Sequence, residues 1–220
     1  MQDQILILNF DNAYSATIAS RLRAGAAFEK PAWIYAAQQA YDFVSVSMSR
    51  ERRLGHSWRE GRLTWPGLAS DYAAMIRAAL AQHEITGGAK YLADALRWQE
   101  MLEDWHSDAA TGLYFLSASD APALIIRPQS TLDDATPNHH GLIAETLIRL
   151  AALTHDSRWA ARLETLFKAL MPLIAKTHSH ISQCSMRWIC ILRASTSSSP
   201  AKTQMPMRCI ARRSICHTPC

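Results

Sequence analysis

Three groups of side chains in this 220-residue chain have types and spacing suited to chemistry. Asp71-Tyr72 follows the turn Pro66-Gly-Leu-Ala-Ser70 and opens a helix. A carboxylate at that place can act as a general base. Its plainer role is to favour the positive end of the helix dipole, with Tyr72 in the core. Trp58-Arg59 sets an aromatic face beside a guanidinium, a pair that can bind a sugar or a carboxylate. The plainer reading is a packed indole with a solvated arginine. Asp133-Asp134-Ala-Thr-Pro137-Asn138-His139-His140 is the most polar loop, with two acids and two imidazoles. Such a set can supply an acid/base pair or part of a metal site. Asn138 reads equally as a helix cap. Adjacent histidines on a helix project in different directions, which counts against a shared metal ion, and no metal is expected. Arg127, just before Pro128, ends a strand within reach of Asp133 or Asp134.

These residues need elements to hold them, and hydrophobic periodicity supplies six. Ile18, Leu22 and Ala26 mark a helix over 16–28. Lys30-Pro31 breaks it, and Ile34, Ala37, Tyr41, Val44 and Met48 mark a second. Arg52 to Gly61 reads as a turn with short extended pieces. Leu68, Tyr72, Met75, Ile76, Ala79 and Leu80 form the next stripe, closed by Gly87-Gly88. Tyr91, Ala95, Trp98, Leu102 and Trp105 form its partner. Thr111–Ser117 and Leu124–Arg127 read as short strands of a hairpin. A third pair carries Ile143, Leu147, Leu150 and Leu153, then Trp159, Leu163, Leu166, Phe167 and Leu170. His83, His106 and His155 fall near helix ends, where capping or partial burial accounts for them.

Trp33, Tyr91 and Trp159 each open the second helix of a pair, so a two-helix unit recurs along the chain. One helical hairpin cannot cover its own apolar face, so successive units must stack. The expected fold is all-α, a stacked array of about three helical hairpins with short β-hairpins between the pairs.

Composition narrows the class. The chain is 49% hydrophobic and 19% charged, enough apolar residue for a sizeable core. No run suits a membrane span, and the acidic, short apolar start is unlike a secretory signal, so a cytoplasmic protein is expected. The net charge of +4 is unevenly spread. Residues 177–220 hold six of the 23 basic residues, none of the 19 acids and all five cysteines, leaving a body of net charge −2. The body therefore indicates neither nucleic-acid binding nor a disulfide framework. No Cys-x-x-Cys, phosphate loop, dinucleotide glycine motif or nucleophilic serine signature occurs, and no cofactor is implied.

The tail from Thr177 loses the helical period. Met186-Arg187-Trp188-Ile189-Cys190, read two bases later, becomes Ala, an apolar residue, Asp, and another apolar residue, which resembles ordinary folded protein. The tail is therefore expected to be a basic, Cys-containing, disordered stretch read out of frame. The rival is a metal site of His178, His180, Cys184 and Cys190, whose cysteine spacing is too wide for a compact zinc motif.

One resemblance is carried by an ordered set of motifs. These are His56-Ser-Trp-Arg-Glu-Gly61, Pro66-Gly-Leu-Ala-Ser-Asp71-Tyr72, Gly112-Leu-Tyr-Phe-Leu116, Arg127-Pro128 and Asp133-Asp-Ala-Thr-Pro137-Asn138. From about Arg23 to Pro172 the chain resembles the thioredoxin-domain-containing proteins related to spermatogenesis-associated protein 20. Their long C-terminal region is an α/α toroid, similar to six-hairpin glycosidases and N-acylglucosamine 2-epimerases. Two departures stand out. Asn9-Phe10-Asp11-Asn12-Ala13 replaces the family's Asp-Trp-Asn-Gly-Leu, which makes 1–15 an atypical edge. Asn138-His139-His140-Gly141 stands where the family often has Ser-Gly-Asn-Ser.

The resemblance implies a partial α/α toroid over 16–176, because six hairpins of roughly 60 residues need about 360. It implies a fragment that is non-catalytic or accessory, without redox activity of its own. Its partners would be a thioredoxin-like domain or the missing half of the toroid. The alternative is a carbohydrate-related enzyme or sugar-binding toroid. That reading gives catalytic roles to Asp71, Asp133 and His140. It has Trp58, Arg59, Tyr72, Arg127 and Asn138 bind a sugar-like ligand.

Overall fold

The computed structural model describes residues 13–122, 126–131 and 137–176. Asp133, residues 1–12 of the expected N-terminal edge, Leu124 and Ile125 of the expected second strand, and the 177–220 tail lie outside them.

Among the described residues six helices form three pairs. The first is α1 (Ala13–Ala27) with α2 (Pro31–Ser47), the second α3 (Ala69–Thr86) with α4 (Ala89–His106), the third α5 (His139–Thr154) with α6 (Ser157–Lys176). Each boundary has a local cause. Pro31 sits in the first turn of α2, where its missing N–H costs no bond. Gly87, at φ 70°, closes α3 in the left-handed conformation that glycine adopts without strain. Asn138 caps α5, its side chain accepting the His140 amide.

The pairs are layered. α1 packs on α2 and α3, α3 on α4 and α5, and α5 on α6. Helices α1, α3 and α5 thus form an inner row, with α3 in its middle and α2, α4 and α6 backing it. α3 explains the arrangement. Of Ala69 through Gln82, every residue is buried except Arg77. Small residues (Ala69, Ser70, Ala73, Ala74, Ala78, Ala79, Ala81) let neighbours approach on several sides at once. Behind it Trp98, Leu102 and Tyr41 are fully buried, with Tyr41 edge-on to Tyr91 at 5.2 Å. At the far end of the row, Ile143, Leu147 and Leu150 of α5 meet Leu166 of α6 as buried side chains.

Two small antiparallel sheets lie between α2 and α3. Strand β1 (Ser49–Arg50) pairs with β2 (Arg53–Leu54), and β3 (Ser57–Arg59) with β4 (Arg62–Thr64). Both turn on two residues with positive φ, Glu51 and Arg52 in one, Glu60 and Gly61 in the other. Such loops match the natural twist of a tight hairpin.

The expected hairpin between the second and third pairs is corrected. Thr111–Ser117 forms no strand; it contributes one isolated bridge, Ser107 with Tyr114. Its backbone is bonded to helix ends instead. Ala69 N–H, at the start of α3, donates to Leu116 O at 2.8 Å, and Phe115 N–H donates to His106 O at 2.8 Å. A continuous apolar run here bonds to helix termini rather than building a sheet. Trp58-Arg59 lies on strand β3, one of the short extended pieces expected between Arg52 and Gly61.

Candidate functional site

The candidate residues gather where the connecting segments meet the starts of α3 and α5. At α3, Asp71 is 1% exposed. Its Oδ2 accepts the Leu68 amide at 2.8 Å and the His56 Nδ1–H at 2.9 Å. The carboxylate therefore caps the helix and orients an imidazole whose side chain is 28% exposed. Chemically, this is an imidazole oriented by a buried acid. Trp58 follows two residues later, half-buried and edge-on to Phe43 at 6.3 Å. Arg59 points away into solvent, 70% exposed, with Glu60 at 3.7 Å.

Tyr72 is fully buried. Its hydroxyl accepts the Leu54 amide at 3.1 Å, tying strand β2 to α3, and its ring lies 5.5 Å from His106. Burial raises its pKa and suits a neutral phenol. Beside it, Arg53 forms a two-pronged pair with Asp120 at 2.7 and 2.8 Å and stacks on Trp105 at 3.9 Å and Trp65 at 5.2 Å. Hydrogen bonding to Arg53 holds the Asp120 carboxyl below its ordinary range.

At α5, His139 and His140 are buried, with ring centroids 4.0 Å apart. Both turn to one residue, contrary to the divergence expected of neighbours. His139 Nε2–H donates to Tyr114 O at 3.1 Å, while His140 Nε2 accepts the Tyr114 amide at 3.1 Å. His140 Nδ1–H then donates to Asn138 Oδ1 at 3.0 Å, and Asn138 Nδ2 donates to Ser130 O at 2.7 Å. Burial, then the neighbouring His139, pushes the His140 pKa down to about 3. His106, likewise buried, falls to about 4. The Tyr114 hydroxyl donates to Glu103, which also takes Arg162 Nε at 2.8 Å. Arg127 donates to Ser117 O at 2.7 Å and lies over Phe115 at 3.9 Å.

The structure thus joins Asp71 to His56 and Asn138 to His140. It places Tyr72 in the core and Arg127 on the connecting segment, and leaves Arg59 apart. Sequence reasoning passed over His56, Arg53, Asp120, Tyr114, Glu103 and Arg162. His56 and Tyr114 lay inside quoted motifs; Arg53 and Asp120 pair across 67 residues and Glu103 and Arg162 across 59, which no local pattern reveals. Among the described residues no group of three or more His, Cys, Asp or Glu could hold a metal ion. Among them, too, no helix is long and apolar enough to cross a membrane.

No family model matches the chain. Over 104 residues it is 30% identical to spermatogenesis-associated protein 20 of Rattus norvegicus, covering 47% of this chain and 13% of that protein. Among solved structures, the GH76 alpha-mannanase of Bacteroides thetaiotaomicron superposes with a TM-score of 0.62 at 14% identity, over 76% of this chain and 45% of that one. The cellobiose 2-epimerase of Spirochaeta thermophila superposes with a TM-score of 0.55 at 23% identity, over 76% and 43%. The likeness carried by the motifs is thus found again in this sequence match, and the fold is that of α/α toroids. The chain spans under half of either solved structure and a small part of the rat protein.

Proposed function

We propose that the chain serves as an accessory, non-catalytic arc of an α/α toroid within a larger thioredoxin-domain-containing assembly, without redox activity of its own. One observation carries this reading. The groups best suited to chemistry are committed to holding segments together. Asp71 caps α3 and fixes His56, and both ring nitrogens of His140 are bonded within the Asn138–Tyr114 clamp. The partner is then the remainder of the toroid, which would cover the exposed aromatic edge of Phe28, Trp33 and Tyr35. The test is turnover by the purified chain. Neither disulfide reduction, nor hydrolysis of an α-mannoside, nor epimerisation of cellobiose is expected. Turnover abolished by Asp71→Asn would overturn the reading.

A second reading has one observation in its favour. His56 is partly exposed, oriented by Asp71, and followed by Trp58 on strand β3. That combination suits a sugar-like ligand, with an aromatic face for the ring and an imidazole for a hydroxyl. Its test is a thermal shift with mannose or cellobiose. A rise in Tm that vanishes in His56→Ala supports it.

A further inference from the structure

The stacked array has two ends, and neither is finished as a solvent face. Pair stacks on pair twice within the chain, through α1 on α3 and α3 on α5. The first pair therefore has a neighbouring pair on one side only, and so does the third. Repeat arrays that stop in water close their ends with a polar outer face. Here the first pair exposes Phe28 at 67%, Trp33 at 40% and Tyr35 at 64%. The third exposes Leu153 of α5 at 37% and Met171 of α6 at 48%.

Helix α1 shows what the first end is shaped to receive. Ile18, Ala19 and Leu22 are its buried stripe. Thr17, Ser20, Arg21 and Ala24 recur at three- and four-residue steps on the opposite side of the helix. Together with the indole of Trp33 from α2 they line an open groove of about 620 Å³. Phe28 braces that indole edge-on at 6.3 Å. Three of the four side chains from α1 are short, and short side chains on α3 are what let α1 and α5 pack against it. The groove therefore suits a helix laid along α1, repeating on its free side the contact that α3 makes on the other.

The size of the arc selects the occupant. The chain superposes on 45% of the mannanase toroid and on 43% of the epimerase toroid. A ring of six pairs turns roughly 60° per pair, so three pairs turn about 180°. Two such arcs related by a two-fold axis complete a ring. The first end of each copy then meets the third end of the other, and all four ends are covered at once. A head-to-tail contact that closes after two copies gives a finite dimer rather than a filament.

We propose that the chain closes on a second copy of itself, the first pair of each protomer seated on the third pair of the other. Each of the two identical joints has the α1 groove and Trp33 on one side, and Leu153 and Met171 on the other. The inference rests on the toroid arc of the accessory reading, and it names a second copy as the remainder of the ring.

The experiment is sedimentation equilibrium of the full chain, in reducing buffer so that the five cysteines of 177–220 do not link copies covalently. A species of twice the chain mass is expected, dissociating on dilution, with nothing larger. Trp33→Glu and Met171→Glu, at opposite ends, should each weaken dimerisation about tenfold or more, because every dimer carries the change at both joints. Arg21→Glu and Leu153→Glu repeat the test at each end, and circular dichroism checks that each variant is folded. Ile126→Glu, 79% exposed on the segment between α4 and α5, should dimerise as the parent does. A parent that stays monomeric up to about 100 μM overturns the proposal. So does a dimer that survives Met171→Glu and Leu153→Glu but not Trp33→Glu, since the first end would then pair with itself. A ladder of larger species, or an equal loss in Ile126→Glu, overturns it too. A monomer would leave the accessory reading standing, because turnover tests that reading.

Discussion

The backbone N–H of Tyr114 donates to Nε2 of His140 at 3.1 Å, across 26 residues of sequence. An imidazole that accepts at Nε2 and donates at Nδ1 must be neutral. The link therefore ties the segment after α4 to the start of α5 only while His140 is unprotonated.

Acid should lower folding stability well above the carboxylate range, although the clamp itself stays neutral in the folded chain down to about pH 3. The His140 pKa falls to about 3 and that of His106 to about 4, and His139 is lowered as well, all by burial first. In the unfolded chain the three would titrate near the ordinary value of 6.5. Between those values the unfolded state binds more protons, so stability is full above about pH 6.5 and declines as pH falls towards 4. His140 and His106 each add a slope of about 1.4 kcal/mol per pH unit in that window, and His139 acts in the same direction. Urea unfolding from pH 7.5 to 4.5 should show it, with the slope reduced by about one proton in His140→Gln. A flat profile would assign these imidazoles to solvent.

The Arg53–Asp120 pair should be worth more than a surface ion pair and should resist conservative replacement. Arg53 is buried between two indoles, while Asp120 has a 38% exposed side chain, so the pair lies between the buried and exposed limits. Arg53→Met is expected to lower stability by about 2 kcal/mol. Arg53→Lys should lose nearly as much, because an ammonium cannot make the two-pronged contact or the flat stack. Since Arg53 depresses the Asp120 pKa, the pair's contribution is complete above the ordinary carboxylate range and is lost as pH falls through the lowered folded value. Urea midpoints should therefore separate Asp120→Asn from the parent more widely at pH 7 than at pH 3.

What the sequence revealed follows from range. The stripes Ile18-Leu22 and Tyr91-Ala95-Trp98-Leu102 are local and periodic, so all six helices were legible, and Asn138 announced its cap by residue type. The run Gly112–Leu116 misled because a short apolar, aromatic-rich stretch reads as a strand, while its hydrogen-bond partners are helix ends brought in from Ala69 and His106. The adjacent histidines misled for a related reason. Their Cα–Cβ vectors diverge, but side-chain rotation lets one ring reach the amide and the other the carbonyl of the same residue, Tyr114. Arg53–Asp120 and Tyr114–Glu103–Arg162 join residues from distant segments and were invisible until the chain closed on itself.

Asp71 and His56 separate capping from chemistry. Asp71 is buried and accepts both the Leu68 amide and the His56 ring, so Asp71→Ala removes a cap and leaves two donors unmet. A loss of about 2 kcal/mol is expected, at the upper end for a helix cap. Asp71→Asn keeps an acceptor for Leu68 and should lose about half as much. His56 is the outer member, 28% exposed, and His56→Ala should cost under about 1 kcal/mol. If the pair only caps the helix, Tm will fall in the order Asp71→Ala, Asp71→Asn, His56→Ala, with no difference in the presence of mannose or cellobiose. If the rim holds a sugar, His56→Ala will abolish the ligand-induced rise in Tm while barely moving the Tm of the free chain. Thermal unfolding of the three variants, with and without each sugar, distinguishes these outcomes because stability and ligand response then change in different proteins.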